Sequence, residues 1–197
     1  MKANFSIYQI NSVIARVMNE SLSSSSTIEK AKKLLSQVNN GAKPWDIYDD
    51  IKISSTPKVF LVKIDTKWAI LNNTGPKHYY IANTLFDDAE SFSKGLYRVF
   101  DKEKGWKIIN DDGGFLYPEI KFKEIGFPYP YSPAIVKSST NEYNYINTLG
   151  QLISDRWFLS VSPFNSSSSY AEVYYRDKDG KIKQDFLTID GKLYHNR

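Results

Sequence analysis

The chain has 197 residues, 41% of them apolar and 24% charged, with a formal net charge of +4 at pH 7. These proportions suit one globular domain, or one with a small appendage. Cysteine is absent and histidine occurs only at His78 and His195, which excludes disulfides, thiolate metal sites, a cysteine nucleophile and a histidine-rich metal centre.

Residues 1–43 read as two helices. Ile7, Ile10, Ile14, Val17 and Leu22 recur at near three- and four-residue steps, close to the spacing of one helix face. Ser23 to Ser26 interrupt them, and Ser26-Thr27-Ile28-Glu29 matches a capping box opening a second helix. Ile28, Ala31, Leu35 and Val38 form its predicted apolar stripe, Gly41 its terminator, and Pro44 prevents continuation. The first twenty residues lack a continuous apolar core, since Asn4, Gln9, Asn11 and Arg16 interrupt it. A cytoplasmic location without a membrane span is therefore expected.

From Tyr48 onward the texture becomes β-like, with Val59 to Val62 and Ala171 to Tyr175 reading as strands. An eight-residue unit recurs at Trp68 to Gly75, Trp106 to Gly113, Tyr143 to Gly150 and Gln184 to Gly191. Each copy has apolar or aromatic residues third and fourth, then Asn or Thr, then Gly in eighth place. The alternation predicts a strand, and Asn or Thr followed three residues later by Gly predicts a type I turn closing with positive φ. Tyr48, Phe86, Phe122 and Trp157 open a second segment that ends at Val62, Val99, Val136 and Val173. The longest spacing is explained by Ser166 to Ser169, read as a loop inserted at a repeat edge.

This pattern resembles the bacterial WG (KWG) repeat family over about residues 48–197. Lys67-Trp68 and Gly105-Trp106 carry the hallmark Trp, and Leu85-Phe86-Asp87-Asp88-Ala89 with Phe92 to Val99 matches the middle segment. Ala69, Lys107, Asn144 and Asp185 stand where the family has Gly after Trp, which marks a divergent member. The resemblance implies a scaffold for binding and carries over no catalytic residues. The expected fold is α+β, mainly β, with antiparallel hairpin repeats of about 37–41 residues in an open array or curled barrel, under an N-terminal two-helix cap. The expected division is a helical hairpin at 1–43 and a β-repeat domain at 44–197. The latter comprises a half repeat at 48–67, repeats at 68–105, 106–142 and 143–183, and a truncated repeat at 184–197.

Reactive chemistry is scarce. Asp49-Asp50, Asp87-Asp88, Asp111-Asp112 and Asp177 with Asp179 are paired carboxylates, but they sit at turn-like positions. Asp179-Gly180 reads as a hairpin turn, because Phe186 replaces the glutamate an EF-hand loop requires. There is no nucleophile elbow, phosphate loop or dinucleotide fingerprint. His78 is expected to be exposed and His195 frayed. Of 26 cations only five are Arg, and the Lys residues are scattered, which favours solvated faces over nucleic-acid readout.

The distinctive segment is Phe127-Pro128-Tyr129-Pro130-Tyr131-Ser132-Pro133, where prolines stiffen an extended loop bearing three rings. Phe127, Tyr129 and Tyr131, with Arg156 and Trp157, are the candidate partner-binding residues. No catalytic, cofactor-binding or metal residue is assigned. The expected function is a non-catalytic module that docks a protein partner through aromatic loops. The alternatives are a small inhibitor, immunity or anti-defence protein that blocks a bacterial enzyme or nuclease, and a glycan or cell-wall binding module.

Overall fold

The computed structural model describes residues 25–128, 132–164 and 169–195. The predicted first helix, Tyr129, Tyr131 and the serines at 166–168 lie outside them. The protein is α+β, mainly β, with antiparallel sheets and, among the described residues, two short helices. It divides into two compact units, residues 1–90 with 111–114, and residues 91–110 with 115–197.

In the first unit, helix α1 (Ser25–Asn39) starts before the predicted cap, so Ser26 lies within the helix and Glu29 pairs with Lys32 at 2.7 Å. Its buried residues are Thr27, Ala31, Leu34 and Val38. The stripe is thus rotated from the predicted one, and Leu35 packs at its margin. The terminator is as read: Gly41 has φ +97°, its N–H bonds the Val38 carbonyl, and the Ala42 N–H bonds the Gln37 carbonyl, a Schellman closure. Pro44 then opens a one-turn helix, α2 (Pro44–Ile47), where its missing N–H costs nothing.

The sheet of this unit runs in the order β1 (Asp50–Ile53), β2 (Val59–Ile64), β3 (Lys67–Asn72), β4 (Tyr79–Tyr80). One face, with Val62, Ile64, Ala69 and Leu71, packs under Ala31, Leu34 and Val38 of α1. Polar groups register the helix on this sheet. The Tyr80 hydroxyl donates to the Ala31 carbonyl at 3.0 Å and lies 3.0 Å from the Tyr48 hydroxyl. Burial raises both phenols above the usual tyrosine range. Lys30 pairs with Asp65 at 2.5 Å, and that bond holds Asp65 below the usual carboxylate range.

The second unit contains β6 (Leu96–Asp101), β7 (Gly105–Asn110), β8 (Phe115–Leu116), β9 (Phe122–Ile125), β10 (Ala134–Ser138) and β11 (Tyr143–Ile146). Together with β5 (Asp88–Ser93) they form a seven-stranded sheet, ordered β11-β10-β9-β7-β6-β5, with β8 beside β7. A four-stranded sheet follows: β12 (Ser160–Val161), β13 (Tyr170–Arg176), β14 (Ile182–Thr188) and β15 (Leu193–Tyr194).

Four hairpins, β2–β3, β6–β7, β10–β11 and β13–β14, share one register. Val62 lies opposite Ala69, Val99 opposite Lys107, Val136 opposite Asn144 and Val173 opposite Asp185. These valines fall 37 residues apart at every step, and none is more than 1% exposed; the extra residues of the longest glycine spacing therefore lie after Val173, in the longer β13–β14 hairpin, and not at Ser166 to Ser169 as read from the sequence. After three of the strands the glycine turn returns the chain identically, pairing Ile109 with Phe115, Ile146 with Leu152 and Leu187 with Leu193. Gly113, Gly150 and Gly191 there have φ of +80°, +81° and +83°. The first hairpin differs: Leu71 pairs with Tyr80, and Gly75 is not left-handed, because Pro76, Lys77 and His78 lengthen its turn.

The strand-leading aromatics bond the next segment, Trp68 with Phe86, Trp106 with Phe122 and Tyr143 with Phe158. Phe158, fully buried, therefore holds the position expected of Trp157.

Candidate functional site

Within the second unit, a groove of about 380 Å³ is lined by Arg98, Trp106, Glu124, Gly126, Lys137 and Tyr143, among others. Its residues are brought together by sheet pairing. Arg98 lies on the face of β6 that also carries Leu96, opposite Ile108 of β7, while Tyr97 and Val99 turn to the other face, and Trp106 stands on β7 opposite Phe100. Tyr143 leads β11 opposite Lys137. Gly126 lies just past β9, with its N–H on the Ile135 carbonyl at 2.9 Å, so backbone forms that part of the wall. A Cβ at Gly126 would press on the same carbonyl at 3.1 Å.

The Arg98 guanidinium sits 3.4 Å from the Phe127 ring centroid and 4.8 Å from that of Trp106, held between two π faces, and donates to the Ile125 carbonyl. Lys137 lies 5.1 Å from the Tyr143 ring and 4.0 Å from a Glu124 carboxylate oxygen. Its bond to Tyr143, foremost, holds its ammonium above the usual lysine range. The groove thus offers rings, two cations and one carboxylate.

The candidate residues fall in two places. Phe127 is 46% exposed and does not line the groove itself; it follows the lining residue Gly126 and its ring stacks on Arg98, which does line it. Tyr129 and Tyr131 follow it in sequence, outside the described residues. Arg156 stacks over the Tyr175 ring at 4.3 Å. Trp157 is half-buried, with its ring 6.3 Å from Phe122, and packs against the hydrophobic core. Composition hid Arg98, whose partners lie eight and 29 residues away in the chain (106 and 127).

The paired carboxylates are engaged elsewhere. Lys67 holds Asp87 and Lys52 holds Asp88, each at 2.9 Å, while the Asp177 carboxylate accepts the N–H groups of Asp179 and Lys181 in the β13–β14 turn. Among the described residues no group of three His, Cys, Asp or Glu could hold a metal ion. No described helix is long and apolar enough to cross a membrane.

Both histidines depart from expectation. His78 is half-buried and clamped at its backbone by the Asn39 amide, at 2.8 and 3.1 Å. His195 is not frayed: its Nδ1 lies 2.6 Å from Asp185, a carboxylate-bearing residue only 2% exposed that also accepts the Tyr175 hydroxyl. Sequence reasoning missed this cluster, because an aspartate on the buried face of a strand contradicts the period-two pattern.

No protein-family profile matches the chain, and no curated protein matches it.

Proposed function

We propose that the protein is a non-catalytic binding module of divergent WG-type hairpin repeats, under a helical N-terminal cap, that docks a protein partner at Phe127 and the groove beside it. The repeat reading is supported by the 37-residue valine spacing and by one hairpin register kept in four copies, although Trp gives way to Tyr143 and Gln184. The cap reading is supported by α1, which covers one face of β2–β3.

The observation that carries the binding reading is the exposed Phe127 ring stacked on Arg98 beside an open groove. An aromatic pre-set by a guanidinium loses little freedom on binding, which is what a contact anchor requires. Phe127→Ala should weaken capture of the partner from host extract at least tenfold while leaving the melting temperature within about 2 °C, as surface changes of under ~0.5 kcal/mol do. Undiminished capture would place the partner elsewhere.

A further inference from the structure

In the second unit each hairpin covers the one before it. Leu96 and Ile108 of β6–β7 pack with Ala134, Val136 and Ile146 of β10–β11. The other face of β10–β11, with Ile135 and Tyr145, packs with Ala171, Val173 and Leu187 of β13–β14. The far face of β13–β14 has no such successor among the described residues.

That face is aromatic. Phe186 stands at the register position of Tyr145, which is fully buried, yet Phe186 is only partly covered. Tyr170 crosses its ring edge-on at 5.0 Å, and Tyr194 lies directly opposite it on β15. Tyr170 and Tyr194 are 39% and 54% exposed. Its carboxylate, Glu172, accepts bonds from the Tyr174 hydroxyl at 2.7 Å and from the Gln184 amide, which fill about two of the four acceptor sites a carboxylate offers.

We infer that this face self-associates: a second copy of the chain docks on it, far face to far face, about a two-fold axis. Three observations select that occupant. The face continues the hairpin-on-hairpin packing already present inside the unit, so its natural complement is another hairpin of the same kind. The inner face of β2–β3 is taken by α1, and that of β13–β14 by β10–β11, so a second copy meets this surface with its own far face. Its charges are also self-complementary. Glu172 and Arg176 lie on the same side of β13, and a two-fold crossing that strand at Tyr174 sets each opposite its counterion in the other copy.

The footprint sets the strength. Two seven-residue strands of about 23 Å, flanked by two strands of two residues and spaced ~4.8 Å apart, give roughly 300 Å² per copy. That is below the ~800 Å² per partner of a standard stable interface. The dimer is therefore weak and concentration-dependent.

Sedimentation equilibrium of the full chain tests this independently of the Phe127 groove. The weight-average mass should rise from 22.7 kDa at low micromolar concentration toward twice that value at several hundred micromolar. Tyr194→Lys, an exposed and tolerant site, should weaken association at least tenfold. Glu172→Arg and Arg176→Glu should each do the same, with the double exchange restoring association. A mass of 22.7 kDa at every concentration would overturn the inference. So would a Tyr194→Lys variant that associates like the parent, or a monomer in which Tyr194→Lys instead abolishes binding of a glycan or a different protein.

Discussion

At Gly191 a single hydrogen atom decides whether the last hairpin can close. The residue has φ +83°, and a Cβ there would fall on the Ile153 carbonyl oxygen. Gly180 has nearly the same conformation, φ +77°, with nothing within 4 Å of a Cβ. The pair separates backbone strain from steric clash. Gly180→Ala should cost about 1–2 kcal/mol, the left-handed penalty alone. Gly191→Ala should cost about 2–4 kcal/mol, because backbone must also move. Urea denaturation of both variants measures the difference, and equal losses would mean the clash relaxes freely. Gly191 was legible in the sequence because a turn glycine repeats at a fixed offset. Asp185 was not, because its register position in the three other hairpins holds Ala69, Lys107 or Asn144, and only the fold brings Tyr175 and His195 to its carboxylate.

Helix α1 shows how an element is fastened by more than its apolar stripe. Tyr80 and Tyr48 carry phenols that burial holds in the protonated form. Their folded pKa values are raised, so the stability they supply is present below the unfolded tyrosine value of about 10 and is lost as pH rises beyond it. In an alkaline absorbance titration these two phenols should ionise only as the chain unfolds. Early ionisation of both would contradict their burial.

Asp65 has the opposite sign. Its pKa is lowered by Lys30, so its contribution is present above about pH 4 and lost as pH falls through the folded value. Asp65→Asn should therefore lower the urea midpoint less at pH 3 than at pH 7, relative to the parent chain. The existence of α1 and its glycine stop were readable, since both depend on local chemistry. The rotation of its buried face from Ile28, Ala31, Leu35 and Val38 to Thr27, Ala31, Leu34 and Val38 was not. The sheet beneath, registered by Tyr80, selects which side of a broad stripe it covers.

At the scale of the molecule, the organising feature is a register held in four hairpins. Its clearest mark, valine at 62, 99, 136 and 173, is present in the sequence but is masked by glycine spacings that drift with turn length. Val136 is fully buried at the centre of one cluster, and Val136→Ala should cost about 2–3 kcal/mol by the large-to-small rule. A loss under 1 kcal/mol would deny the shared core position. The groove was less legible than the hairpins. Phe127 stood out because prolines surround it, whereas Arg98, Trp106 and Tyr143 meet only through the pairing of β6, β7, β9, β10 and β11.

The most direct test of binding at this groove is a photo-crosslinking amino acid placed at position 127, with Asp179 at an exposed turn as the control site. In host extract the 127 probe should yield one saturable protein adduct, suppressed by excess unlabelled chain, while the 179 probe yields none. No adduct at 127, or the same adducts at both positions, would contradict a partner docked against Phe127.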